Sequence, residues 1–454
     1  MGRYYLLLFI VLIMFYRAIC SSSKKKQVEL MLSLMVQIMP LGCMYVLRSG
    51  PKLEGMSGCF DSFYVIDAMW IPLLMIPLLG FIRISSGISI IKPIIFLFCL
   101  VLITYFNPNN HLPSSGFPVL FRLLQILLIL KIISSYIDKS MIVNGVYDGM
   151  KYAILLQATI VTLFPVLNVQ IVNTLFRSED IAIWAFRRGT LSAMGTFMHP
   201  GALALYGTVS FSFFISCWLK FYKRMESLVL MLLSLYVIFF TYSRTSYVTV
   251  LGVATIIYLL YNWKKGEISK SVFGLVGIGV IVSFFVVASG ILDVFLHSDI
   301  DEQTLARSIH YDIAFECFAE HPLLGIGLNT HVYYMSVFLH SEFASIPSFF
   351  FENPFHNIHL IVLAEMGLVI FIFWAGGLLL FLWKSYKHFN NENTYSSIIS
   401  ISSFCVVLSF ILYGMTGWAA FHRELYVYLI LFVFLAILSN SKPKYHTWFS
   451  KNRE

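Results

Sequence analysis

Residues 352–367 read ENPFHNIHLIVLAEMG, and this short stretch decides the fold. It closes a polar segment, 294–355, that separates two long apolar runs, and it hands over to membrane-length apolar sequence just after His356. Irregular backbone exposed to lipid would leave its polar groups unpaired, so in a chain this apolar the 294–356 segment is expected outside the bilayer. Any chemistry the chain performs is expected there too.

The composition supports that division. Of the 454 residues 59% are hydrophobic and 12% charged, and mean hydropathy is +0.81, far from the ~25% charged content of a soluble domain. The expectation is a polytopic membrane protein with no soluble domain of size. Net charge +8 is accounted for by basic residues in short loops on one side of the bilayer, so nucleic acid is not expected as a partner. The seven cysteines show no CxxC or metal spacing. Cys59 and Cys317 both fall in segments expected on the outer side, which allows a disulfide, though unpaired thiols are the expectation. The opening MGRYYLLLFIVLIMFYRAIC (1–20) resembles a signal peptide, but Arg17 and Ile19 stand where cleavage needs small residues, so an uncleaved short span is expected.

Working outward from 352–367, apolar runs of spanning length lie near 4–20, 28–47, 64–82, 88–106, 117–137, 150–171, 200–220, 227–242, 246–262, 271–293, 357–383, 396–415 and 424–440. The fold class expected is all-α, a bundle of 12–13 transmembrane helices with one large extracytoplasmic loop. Its division is 1–293 (helices and short loops), 294–356 (the large loop), 357–440 (the last three spans) and 441–454, a basic tail. Lys139, Lys151, Lys220, Lys223, Arg224, Lys264, Lys265, Lys270, Lys384 and Lys387 fall in alternate loops, which puts those loops and the tail in the cytoplasm. The outer side then receives 172–199, the turn at 242–246, the 294–356 loop and 416–423. Within the large loop, LARSIHYDIAFECFAEHPLLGIG (305–327) predicts an amphipathic helix stopped by Pro322.

Several side chains at the outer boundary can carry chemistry. Arg244, in TYSRTSY, is a permanent cation among hydroxyl donors, and a guanidinium can grip phosphate oxygens through two parallel hydrogen bonds. A snorkelling, helix-terminal arginine is the plainer alternative. Arg307 and His310 share a helical face at i, i+3, with a surface ion pair to Glu302 as the alternative. His356 can take a proton near neutral pH at the level where an amphipathic substrate's head lies; His359 follows one turn on. Metal binding by the two histidines fits no common zinc spacing, even counting Glu365. Arg177, Arg187, Arg188 and His199 sit in the 172–199 loop, where arginines run against the charge bias and suit an anion, or equally a lipid head group. Asp67, Arg122 and Lys131 lie in apolar runs and are either functional or interfacial. No internal repeat and no broken helix is evident.

TYSRTSY (241–247), RSIHYDIAFECFAEHPLLGIGLNTH (307–331) and FHNIHLIVLAEMGLVIFIFW (355–374), in that order, resemble the O-antigen ligase and O-antigen polymerase superfamily of bacterial envelope glycosyltransferases. GTFMHPGALALYG (195–207) is similar to a further segment of that family, with Gly201 where asparagine is frequent. His356, Asn357 and Gly367 match the ligases' pattern His-[Asn/Ser/Gln]-x9-Gly-x-x-[Gly/Thr/Tyr], and Ile370 departs from its last position. The resemblance covers residues 190–375 and implies a GT-C-like fold. By it His356 becomes the catalytic base and Arg244 and Arg307 the holders of a lipid-linked diphosphate, with Arg187, Arg188, His199, His310, Asn357 and His359 in support.

The resemblance further implies transfer of a glycan from undecaprenyl diphosphate to an acceptor hydroxyl at the outer face of a bacterial inner membrane. No cofactor or metal is implied, and no DxD-like acidic cluster is visible. Partners implied are the undecaprenyl-diphosphate-linked oligosaccharide, membrane lipids and a chain-length regulator protein. Polymerase is the first expectation, with Tyr311, Tyr333 and Tyr334 available to stack on sugar. A ligase acting on lipid A core or protein is the alternative within the same chemistry, and a polysaccharide or lipid flippase the alternative from another class.

Overall fold

The structure is a computed structural model and describes residues 2–21, 23–41, 44–49, 62–67, 91–117, 119–121, 123–125, 127–128, 138–163, 192–197, 199–266, 300–339, 351, 354–390, 392–417 and 425–440. Its helices are α1 (Gly2–Ile19), α2 (Lys24–Ile38), α3 (Ile91–Phe106), α4 (Lys139–Leu163), α5 (Pro200–Leu219), α6 (Arg224–Phe239), α7 (Arg244–Lys265), α8 (Ile300–Glu320), α9 (His331–Tyr334), α10 (Ile358–Lys387), α11 (Thr394–Gly414) and α12 (Tyr426–Asn440). Four of these, α5, α7, α10 and α11, are long and apolar enough to cross a membrane, and shorter apolar helices occupy Leu7–Ile19 and Val427–Ile437. The protein is an all-α polytopic membrane protein. Among the described residues it carries one two-stranded antiparallel hairpin, β1 (Met44–Ser49) with β2 (Ser62–Asp67).

That hairpin corrects two expected spans. The run near 28–47 is helical only to Ile38, because Pro40 sits in a tight turn over Met39–Leu41 and strand β1 follows. The run near 64–82 opens on β2, and residues 68–90 lie outside the described residues. Lys139 and Lys151, expected in loops, lie inside α4, which starts before the apolar run does. Its polar first half is satisfied by partners on α2 and α6: Asn144 donates to Glu29 at 2.8 Å, and Lys151 pairs with Glu226. The expected span at 271–293 and the residues Arg122, Lys131, Arg177, Arg187 and Arg188 fall outside the described residues, as does the side chain of Asp67.

The core is built on α5 and α11, which are almost wholly buried and touch along serine and glycine positions. Ser212 and Ser409 hydrogen-bond across them at 3.0 Å, and an added Cβ at Gly207 would meet Ile238 of α6 at 2.5 Å. Small residues let helix backbones approach closely, which drives helix association where lipid removes the hydrophobic incentive. Helices α5, α6, α7, α10 and α11 alternate in direction, so one end of the bundle collects the starts of α5, α7 and α10 and the finish of α11. At the opposite end Lys264 donates to the carbonyls of Tyr386 and Lys387 at 2.7 and 2.8 Å, capping α10 with positive charge.

Helix α10 is broken. Gly367 adopts φ 66, ψ −177, a conformation open essentially to glycine alone. The loop after α8 supplies the hydrogen bonds that the break forfeits. Ile326 and Gly327 donate to the carbonyls of Ala364 and Glu365 at 3.0 and 2.8 Å, and Leu368 donates to the carbonyl of Pro322 at 2.8 Å. The approach is close enough that a Cβ on Gly325 or Gly367 would lie 2.4 Å from backbone atoms of the other segment.

Candidate functional site

The starts of α5, α7 and α10 meet the finish of α11 under α8. Asn357 caps α10, its side-chain oxygen accepting from His359 N–H at 2.9 Å and Leu360 N–H at 3.2 Å, so this predicted supporting residue fixes where the helix begins. Such a cap is worth ~1 kcal/mol. His356 is thereby held one residue before the cap, half-buried, with its ring stacked on that of His310 at a centroid distance of 5.8 Å.

His310 is 3% exposed, and Arg307 lies one turn earlier on the same face of α8. Helix α8 ends at Glu320, just before Pro322, as its sequence predicts. It is docked over the bundle by Tyr311, whose hydroxyl donates to the carbonyl of Met415 at 3.2 Å. That docking brings Arg307 within electrostatic reach of Arg244 at the start of α7, where burial weighs first on the Arg244 cation and the charge of Arg307 second. Two half-buried cations within electrostatic reach of one another cost free energy, which an anion bound near both would offset. The three helix starts add partial positive charge of ~0.5 each in the same region.

Tyr413 is the member of this group that sequence reading missed, because it hides in an apolar run. Its hydroxyl donates to the carbonyl of Gly201 at 3.0 Å, lies against Ser243 and Ser246, and feels the charge of Arg307. His199 joins it: a Cβ on Gly201 would sit 2.7 Å from the Tyr413 hydroxyl and 2.9 Å from the His199 ring. Thr245 and Thr416 complete the rim, their hydroxyls 3.0 Å apart. Arg244, Arg307, His310, His356 and His199 are therefore brought to one end of the bundle by α7, α8 and the starts of α10 and α5.

His359 is placed differently. Its Nε2 lies 3.2 Å from the carbonyl of Ile411 and its Nδ1 accepts from the Trp374 indole at 3.3 Å, which fixes the neutral tautomer with the proton on Nε2. With both nitrogens engaged inside the bundle, its role is to join α10 to α11. Tyr334, expected to stack on sugar, is instead buried and donates to Glu320 at 2.6 Å. Cys317 is a buried free thiol. Among the described residues no three His, Cys, Asp or Glu side chains gather as a metal site.

The matched stretch of known sequence coincides with this geometry. Residues 229–375, which contain Arg244, Arg307, His310 and His356, match the family model Wzy_C, described as O-antigen ligase. That match, over about a third of the chain, supports the O-antigen ligase and polymerase superfamily. The match runs from within α6 to the middle of α10, so it also contains the loop at 322–327 and the broken turn it stitches. Helices α5 and α11, which supply His199 and Tyr413, lie outside it. No curated protein matches the chain. The superfamily supports an enzyme of glycosyltransferase type at a membrane, with ligase-type or polymerase-type activity.

Proposed function

We propose that the protein is an O-antigen or related surface-polysaccharide polymerase, working at the outer face of a bacterial inner membrane. The observation that carries the reading is the meeting of Arg244, Arg307 and His356, from α7, α8 and the start of α10, at one end of the bundle. Arg244 and Arg307 hold the diphosphate of an undecaprenyl-linked glycan. His356 accepts the proton of an acceptor hydroxyl as its oxygen attacks the anomeric carbon. The bond from that carbon to the phosphate oxygen breaks in the same displacement, the configuration inverts, and the lipid diphosphate leaves with its new charge against the two guanidinium groups. Donors placed where charge develops are worth ~3 kcal/mol each in a dry site. The leaving group is already a stable anion, so little acid assistance is required.

Purified protein in liposomes, supplied with lipid-linked repeat units and no ion gradient, should lengthen them, and His356→Ala should lower lengthening by ~10²-fold or more without loss of folded protein. Full activity of that variant would remove His356 from the role of base. A ligase reading is favoured by the description of the matched family as O-antigen ligase. A deletion strain separates the two: loss of a polymerase leaves single repeat units on the lipid core, and loss of a ligase leaves none. The break in α10 is a feature shared with transporters. Its backbone groups, however, are taken up by the 322–327 loop rather than turned toward a cavity, so the break favours a fixed scaffold over a moving gate.

A further inference from the structure

Glu365 is a carboxylate about 10 Å along α10 from its start, at 1.5 Å per residue, and it is 4% exposed. An acid at such depth in an apolar helix is expensive unless several donors surround it. Three donors are present. Asn329 N–H donates to Oε2 at 2.8 Å, and His331 offers its backbone N–H at 3.2 Å and its ring Nδ1 at 2.6 Å to Oε1. The carboxylate therefore ties the start of α9 to the broken turn of α10, and it orients one particular ring. The His331 imidazole, 3% exposed, lies against Phe355 with centroids 5.1 Å apart. Phe355, wholly buried, touches His310 at 6.1 Å and is the residue before His356.

We propose that Glu365 is a positioning residue for the glycan transfer set out above, on which this inference rests: through His331 and Phe355 it sets the angle at which His356 meets His310 and faces the guanidinium pair. Arg307 reaches the site by a separate anchor, the Tyr311 to Met415 hydrogen bond, and Arg244 stands on α7. Loss of the Glu365 carboxylate therefore disturbs the base and leaves the diphosphate grip intact. A bulk structural role for Glu365 would lower donor binding, turnover and folded yield together.

The test uses the full chain in liposomes and has two arms. In the kinetic arm, Glu365→Gln lowers kcat by 10-fold or more, with donor KM within about threefold of the parent, and Glu365→Asp recovers part of the loss. Phe355→Leu, which breaks the same link without altering a buried charge, lowers kcat likewise and serves where the Glu365 variants fail to fold. In the geometric arm, which requires no activity, cysteines at 310 and 356 in an otherwise cysteine-free chain are joined by a short bismaleimide in the parent background. Joining falls severalfold when Glu365→Gln or Phe355→Leu is added. Unchanged kcat in both variants overturns the proposal, and so does unchanged joining. An inactive parent whose joining still depends on Glu365 overturns the transfer reading and leaves the positioning link standing.

Discussion

The His310 and His356 rings lie 20° from parallel, with centroids 5.8 Å apart, the first buried under α8 and the second at the open side of the pair. The half-buried ring of His356 is the one placed to meet a hydroxyl, and the buried ring of His310 backs it. His356→Ala should lower transfer by ~10²–10⁴-fold, the usual contribution of a general base. His310→Ala should cost up to ~10²-fold through misplacement of its neighbour. His359→Gln should act on the melting temperature instead of on turnover, because both nitrogens of His359 already hold α10 to α11 and Trp374. Initial rates with lipid-linked donor, measured beside thermal melts of the three variants, separate these outcomes.

Arg244 and Arg307 repel one another, so each is better satisfied with an anion present than without. Replacing either by lysine keeps the charge and loses the planar fork that matches two phosphate oxygens. A charge-assisted hydrogen bond is worth ~1.5–3 kcal/mol, so donor KM should rise about 10- to 100-fold in Arg244→Lys and in Arg307→Lys. Folded yield should stay near that of the parent. Equal losses of yield and activity would assign both arginines to the scaffold.

The end of α8 at Pro322 and the gathering of Arg244, Arg307 and His356 at one end of the bundle were legible in the sequence, because polar residues interrupting membrane-length runs have few places to go. Hydropathy was blind to backbone geometry. Pro40 inside the run near 28–47 marked the end of α2, yet averaging over the run concealed both it and the strand that follows. The break at Gly367 was invisible because its cause lies in residues 322–327, remote in sequence. Glu365 drew notice only as a poor metal ligand; two of its donors are backbone N–H groups that carry no sequence signal, and the third, the His331 ring, is remote in sequence. Tyr413 shared the fate of polar groups within apolar runs: its partner is the carbonyl of Gly201, which only the packing of α5 on α11 supplies.

Burial pushes the Cys317 thiol well above the ordinary cysteine range, and the nearby Glu320 carboxylate adds to the shift. The thiolate is the reactive form, so Cys317 should resist iodoacetamide at pH 8 in the folded protein and become alkylated once the chain is unfolded in detergent. Peptide mass spectrometry reads the difference. Ready alkylation of the folded protein would mean that the buried face of α8, with Ile313 and Ala314, is not packed on α10.

Gly367 and Gly377 lie ten residues apart on α10 and should respond to alanine in opposite directions. At Gly377 an added Cβ meets nothing within 4 Å, and removing a glycine from a helix interior gains ~0.5–1 kcal/mol, so Gly377→Ala should melt at or slightly above the parent temperature. At Gly367 the backbone has φ +66, and a Cβ would fall 2.4 Å from the backbone of Leu323. The conformation alone costs a non-glycine residue ~1–3 kcal/mol. Relieving the clash means separating the loop from the broken turn, which gives up the hydrogen bonds of Ile326, Gly327 and Leu368. Gly367→Ala should therefore melt well below the parent, or fail to accumulate as folded protein, in detergent-solubilised samples followed by circular dichroism. Melting of the two variants at the same temperature would show that α10 can straighten at this point and that the 322–327 loop does not depend on the break.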